Sequence, residues 1–216
     1  MAHWSMAESG RGMEKRMTKK TVFLAMGAIL ASGMGMAGAA GAGAAPPAAR
    51  ALWQQVLKLQ RDRAVLPESH PFQPGSRSVD ALTADLANAR AARAISRAGG
   101  ILKVRKYPDG SLLVKENFSA SRHLNGIAAM LKQKGYDTAD RNWVMATFRP
   151  DGRPVAMGRI QSCISCHAMA KQQDFVFAPP PGQLLPVSTW AAFFPRQKMN
   201  ARYVALLRKF PQAEVH

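Results

Sequence analysis

The chain has 216 residues and a formal charge of +17, with 30 Lys and Arg against 13 Asp and Glu. This length allows one ordinary domain with processing segments and suffices to bury a hydrophobic core. The charge indicates affinity for polyanions or acidic proteins, although it is equally typical of a basic, solvated surface. The export signal described next argues against nucleic acid as the partner.

The N-terminus has the order of a secretory signal peptide: charged, apolar, then small residues. Four basic residues between positions 15 and 20 precede the apolar run TVFLAMGAILAS, and a small-residue tract ends with the A-x-A pattern at Ala42 to Ala44. We therefore expect a signal peptide over residues 1–44, with Met13 or Met17 as an alternative start, and a periplasmic mature protein. A retained membrane anchor is the alternative interpretation.

Removal of residues 1–44 takes away five basic and two acidic residues, which leaves 25 and 11 and a formal charge of +14. For an exported protein, this charge predicts an acidic redox partner protein or an anionic membrane surface.

Two helices are predicted at the start of the mature chain, over residues 48–97. AARALWQQVLKLQRDRA has apolar residues at helical spacing. SVDALTADLANARAARAISRAGG offers Ser78 or Asp80 as a cap, a run of helix formers, and a stop at Gly99-Gly100. On this pattern, no strand precedes residue 100.

The pattern then changes to the alternation that is typical of strands. ILKVRKYPDGSLLVKENF predicts a hairpin around Pro108-Asp109-Gly110, and a second hairpin joins Trp143 to Phe148 with Val155 to Ile160. GIAAMLK fits a strand or a short helix. NARYVALLRKF predicts a last helix within residues 199–210. We expect one α+β domain over residues 45–216, an antiparallel sheet framed by helices.

The only two cysteines, Cys163 and Cys166, lie in RIQSCISCHAMAK, with His167 directly after the second. A thioredoxin-type couple requires a βαβ unit that this pattern lacks. A zinc site requires a fourth ligand, such as His70 or His123. A disulfide would close a loop too small to stabilise the fold much.

Covalent attachment of a c-type haem explains all three residues together. The two thiols add to the two haem vinyl groups, and the adjacent histidine is the proximal iron ligand. Because the motif follows two predicted hairpins, we expect the haem c to be held against the sheet. Ordinary cytochromes c carry this motif early, in a small helical domain.

These runs resemble the cytochrome P-460 family, which includes the cytochromes c′-beta. The runs that match are YPDGSLLVKENF, GIAAMLKQKGYDTADRNWVMATFRPDG and SCISCHAMAKQQDFVF, between Tyr107 and Phe177. The resemblance implies a periplasmic homodimer in which a five-coordinate c-type haem lies on a β-sheet. The open side of the iron would meet small nitrogen species such as hydroxylamine or nitric oxide.

The resemblance also implies a lysine bonded to a haem meso carbon and a distal carboxylate that assists hydroxylamine oxidation. By motif position the lysine is Lys115, with Lys132 as the second candidate. Strand alternation puts Lys115 with Leu113 on one face and Glu116 on the other, more apolar face, so the pattern favours Glu116 as the inward group. Asp137 and Asp140 are the other candidate carboxylates.

Several further residues are candidates at the same site. For the sixth iron ligand they are His70, His123, Met130, Met145, Met157 and Met169. For the haem propionates they are Arg122, Arg141 and Arg159.

Three functions fit this sequence. The first is an oxidoreductase that oxidises hydroxylamine or converts nitric oxide at an open iron. The second is a gas-binding protein without turnover, expected if Phe118, Phe148 or Val144 lines a distal pocket that lacks a carboxylate. The third is an electron carrier whose two axial positions are both filled.

Overall fold

The computed structural model describes residues 47–215, which form one antiparallel sheet with helices around it. Six strands follow each other in chain order across the sheet, and each neighbouring pair is antiparallel. The strands are β1 Gln73–Pro74, β2 Leu82–Ala87, β3 Leu112–Phe118, β4 Leu124–Lys132, β5 Trp143–Phe148 and β6 Pro154–Gly158. The α-helices in this part of the chain are α1 Pro47–Arg61, α2 Ala89–Ala98, α3 Gln161–His167, α4 Val187–Phe193 and α5 Ala201–Lys209.

The predicted fold class, α+β with an antiparallel sheet framed by helices, is confirmed. The first helix, the hairpin β5–β6 and the last helix also agree with the prediction, and GIAAMLK belongs to β4. The predicted signal peptide lies outside the described residues. Among residues 47–215, no helix is both long enough and apolar enough to cross a membrane.

The prediction of two helices before any strand is wrong, because residues 82–87 form β2. These residues include good helix formers, but they pair along their whole length with β3, and such pairing overrides local propensity. The second helix therefore begins at Ala89, after the capping residue Asn88, whose side chain accepts a hydrogen bond from the backbone N–H of Ala91 at 3.0 Å. Gly99 caps its C-terminal end, where the sequence predicts a stop.

The hairpin predicted around residues 108–110 is also wrong. Its first arm contains a short 3-10 helix, Ile101–Lys103, and β3 pairs with β2 and β4 instead. Gly110 adopts a left-handed turn conformation with φ 77°, and its N–H donates to the carbonyl of Lys132 at 2.8 Å. The turn therefore leads into β3 and does not join two paired strands.

The two faces of the sheet carry different layers. One face packs against α1 through buried aliphatic side chains, among them Leu52, Val56 and Leu59 of the helix. The other face packs against α2, the 101–107 segment and the chain around the CxxCH motif. Leu184, Tyr203 and Leu207 form a small third cluster near the C-terminus.

Candidate functional site

The CxxCH motif forms the short helix α3, which follows directly after β6. Ile164 is buried in the core and fixes the helix to the rest of the domain. Cys163 and His167, one helical turn apart, both line a cleft between this segment and the sheet. Cys166 is buried, and the two thiols are not joined in a disulfide.

The imidazole of His167 is held by a backbone carbonyl. Its Nδ1 lies 2.7 Å from the carbonyl oxygen of Phe175, so Nδ1–H donates and the lone pair of Nε2 remains available for a metal. The ring of Phe177 packs edge-on against the imidazole at 5.3 Å between centroids. Burial lowers the pKa of His167, which favours the neutral form that binds metals.

Burial disfavours the thiolate form of both cysteines. Burial raises the pKa of Cys163, and it raises the pKa of Cys166 to about 11 although the charge of Lys115 acts in the opposite direction. A thioredoxin-type couple depends on a lowered thiol pKa, so these thiols do not suit that chemistry. Within residues 47–215, no group of three or more His, Cys, Asp or Glu side chains could hold a metal ion, and the zinc alternative lacks its ligands there.

The floor of the cleft is built from cross-strand rows of the sheet. Asp85 pairs with Lys115, which pairs with Ala128, which pairs with Thr147. The neighbouring row contains the apolar side chains of Leu113, Met130 and Met145. The opposite wall consists of the motif residues and the segment after them: Cys163, His167, Val176, Phe177, Ala178, Pro179 and Pro180.

The comparison with known families agrees with this geometry. The model of the cytochrome P-460 family matches residues 74–178, from β1 to the wall of the cleft. Residues 74–178 form a domain of the cytochrome P-460 family. No curated protein matches the chain. Membership implies a c-type haem, and α1, α4 and α5 lie outside the matched region.

The residues of this cytochrome P-460 domain fit a c-type haem. A mainly apolar cleft suits a porphyrin ring, and the free thiol of Cys163 lines it beside His167, whose Nε2 is available, while the free thiol of Cys166 lies buried in the same short helix. The spacing of the thiols matches the vinyl edge of the ring.

Lys115 and Glu116, the two neighbouring site candidates from the sequence, lie on opposite faces of the sheet. Lys115 lines the cleft, and its charge opposes the burial-driven rise in the pKa of Cys166 and adds to the burial-driven fall in the pKa of His167. Glu116 lies on the α1 face, where Gln60 Nε2 donates to its carboxylate at 2.6 Å. The prediction that Glu116 is the inward group is therefore wrong, because the helix α1 covers the more apolar face of β3 and the cleft lies on the other.

The second lysine candidate has a different partner. Lys132 Nζ forms a buried ion pair with Asp174 Oδ2 at 2.6 Å and does not line the cleft. Asp137 and Asp140 both contact Arg159, at 3.4 and 2.7 Å, and they too lie away from the lining.

Of the remaining candidates, some line the cleft and others lie away from it. Met130 and Met145 are the sixth-ligand candidates that line the cleft, whereas His70, His123, Met157 and Met169 do not. Of the arginine candidates for the propionates, Arg122 stacks on Phe72 and Arg159 pairs with two acids. The distal lining expected for a gas-binding protein is absent from the cleft: it contains none of Phe118, Phe148 and Val144.

Sequence reasoning missed Asp85, the carboxylate that lies on the cleft floor. Gln73 Nε2 donates to its Oδ2. Burial raises the pKa of Asp85, and the charge of Lys115 opposes that shift. The residue lies in β2, whose sequence predicts a helix, and a helical pattern does not place Asp85 on the face of Lys115.

Proposed function

We propose that the protein is an exported, periplasmic c-type haem protein that oxidises hydroxylamine at an open haem iron in the cleft. The observation that carries this proposal is the position of Asp85 and Lys115, which face the same cleft as His167. An oxidation of this kind needs a vacant metal position, a group that accepts protons and an outlet for electrons.

The haem would be held by thioether bonds to Cys163 and Cys166 and by Nε2 of His167. When bound, it supplies an iron that exchanges electrons with a small nitrogen compound and with an external acceptor. Each electron that leaves hydroxylamine in this oxidation is accompanied by a proton. Asp85 is the group we assign to take that proton, because its carboxylate lies on the floor opposite His167.

Lys115 has two supporting roles in this proposal. As a free ammonium, before it is bonded to the haem, it stabilises the ionised form of Asp85 across the strand pair. As the lysine at the family's motif position, it is also the residue we assign to the covalent bond with the macrocycle. In that bond its nitrogen would replace the hydrogen of a meso carbon, an external oxidant would take up the two electrons, and the ammonium charge would be lost. Replacing Lys115 with Ala would then convert the absorption spectrum to that of an ordinary c-type haem, and an unchanged spectrum would remove Lys115 as the linker.

The experiment that tests the function is steady-state oxidation of hydroxylamine by the haem-loaded protein with an artificial electron acceptor. We expect turnover that saturates with hydroxylamine. Binding of nitric oxide without any hydroxylamine turnover would contradict the enzyme and favour the gas-binding function.

Electrons would leave to an acidic redox protein, because the mature chain carries a formal charge of +14. Reduction of such a partner should slow as salt is added, since screening weakens the attraction between exposed charges. A rate independent of ionic strength would contradict this kind of partner.

One observation favours a second function, electron transfer through a six-coordinate iron. The thioether side chains of Met130 and Met145 line the cleft, and methionine is a known axial ligand of c-type haems. Both are buried in the apolar core, where methionine is ordinarily a packing residue. Carbon monoxide binding, described at the end of the Discussion, separates the two functions.

A further inference from the structure

The most deeply buried ion pair in the described part of the chain joins the sheet to the segment after the CxxCH motif. Lys132, at the end of β4, is 5 % exposed, and Asp174 is 1 % exposed. Burying two charges costs desolvation energy that their attraction often fails to offset. The pair is therefore poorly explained by stability alone.

Besides the ion pair with Lys132, two hydrogen bonds hold Asp174 against the sheet. Its Oδ2 also accepts from the backbone N–H of Tyr107 at 2.7 Å, and its own carbonyl accepts from Trp143 Nε1 at 2.6 Å. The ammonium of Lys132 lies 4.7 Å from the centroid of the Trp143 ring. Side chain and backbone of Asp174 are thus both fixed against the sheet.

The backbone at this point takes an unfavourable conformation. Asp174 and Phe175 have φ of 56° and 69°, both in the left-handed region although neither residue is glycine. Such residues persist only where surrounding contacts hold them, and they concentrate at functional sites. The consequence is a reversal of the chain that directs the Phe175 carbonyl at His167 Nδ1, 2.7 Å away.

We propose that the Lys132–Asp174 ion pair is a positioning device for the iron ligand. By holding the left-handed turn, it keeps the Phe175 carbonyl against Nδ1–H of His167, which fixes the tautomer and ring orientation and raises the basicity of Nε2. Contacts of this kind around a metal-binding histidine commonly control affinity and reduction potential. The inference rests on the proposed role of His167 as haem ligand, but not on hydroxylamine turnover.

The test uses the haem-loaded protein and the double variant Lys132→Met/Asp174→Asn, which leaves no unpaired buried charge. Both cysteines are intact, so the haem stays covalently attached. We expect the reduction potential to rise, because a weaker hydrogen bond at Nδ1 makes the imidazole a poorer donor to oxidised iron. We also expect the iron–histidine stretching frequency of the reduced protein, measured by resonance Raman spectroscopy, to fall.

Asp80→Asn is the matched control. Asp80 is also buried, at 3 % exposure, and contacts Arg77 and Asn125, but it has no link to His167. This variant should lose stability and leave both the potential and the stretching frequency at wild-type values. If the control shifts them as much as the double variant does, the effect is a general one and the inference fails.

A milder variant keeps the inference testable if the double variant does not fold. Trp143→Phe removes the donor to the Asp174 carbonyl while it keeps an aromatic ring, and it should shift both quantities in the same direction by less. If either variant folds and keeps the reduction potential and the iron–histidine stretching frequency of wild type, this inference is overturned, but the proposed function is not. A wild-type protein that lacks an iron–histidine band would contradict the ligand assignment on which the inference depends.

Discussion

The two faces of one strand, β3, perform different tasks. Leu112 and Val114 point to the α1 face and are buried in a dry aliphatic layer. Leu113 and Lys115 point to the other face, where Lys115 is paired in register with Asp85 and lines the cleft beside His167. Successive residues of a strand alternate between faces, so a single segment can contribute to stability and to chemistry at the same time.

The difference between the faces follows from what covers each of them. On the α1 face a helix excludes water, and Glu116 is accommodated there only with the hydrogen bond from Gln60. On the cleft face, Asp85 and Lys115 line an open cleft, where a bound cofactor would cover them. We therefore expect substitutions on the two faces to be separable, one affecting stability and the other haem and turnover.

The largest effect is expected from the motif itself. Replacing both Cys163 and Cys166 with Ala should abolish covalent attachment, because no other thiol exists in the chain. Acid–acetone extraction of the variant should then release all of its haem, whereas wild type should release none. Haem that stays with the double variant after extraction would show that the motif is not the attachment site.

On the α1 face, Leu52→Ala should lower the free energy of unfolding by about 2–5 kcal/mol, the range for deleting a buried leucine side chain. Leu52 is 1 % exposed within the aliphatic layer. Urea unfolding measures the loss, and the absorption spectrum of the haem-loaded variant should equal that of wild type. A changed spectrum in the folded variant would contradict the separation of the two faces.

On the cleft face, Asp85→Asn should lower kcat for hydroxylamine about 100-fold with little change in KM, since loss of a positioned proton acceptor has this order of effect. Glu116→Gln is the matched control: it lies one strand over, on the opposite face, and should retain kcat within about twofold. Equal losses in the two variants would indicate that neither carboxylate acts on the substrate.

The smallest effect concerns pH. Burial raises the pKa of Asp85 above its ordinary value of 3.8, so the folded state favours the protonated acid. The stability that this contributes is complete below pH 3.8 and is lost as pH rises through the pKa of the folded state. The Asp85→Asn variant has no ionisable group at this position and does not lose this stability. The free energy of unfolding of the variant should therefore rise relative to that of wild type as pH increases. Parallel pH profiles in urea unfolding would contradict the shift.

The proposed haem-attachment residues, Cys163, Cys166 and His167, can be put forward from the sequence because their pattern is local and is defined by spacing alone. The helix α1 and the hairpin β5–β6 were predictable for the same reason, since their periodicity is contained within each segment. Strand β2 was not, because its strand conformation depends on pairing with β3, about thirty residues later. With β2 read as a helix, Asp85 had no predicted place on the cleft floor.

The choice between Lys115 and Glu116 also needed the tertiary structure. Both faces of β3 carry leucine, and only the tertiary structure shows that α1 packs on the face of Glu116 while the cleft lies on the face of Lys115. The sequence pattern likewise cannot identify the partner of Lys132. Asp174 is 42 residues away, and the two side chains form their ion pair only when the segment after the motif folds onto the sheet.

The most direct test of an open haem iron in the cleft is carbon monoxide binding to the reduced, haem-loaded protein, followed by stopped-flow absorption. An open iron predicts fast binding whose rate rises in proportion to carbon monoxide concentration. Absent binding, or a slow rate that reaches a plateau set by release of an internal ligand such as Met145, would contradict the open site and identify a six-coordinate electron carrier.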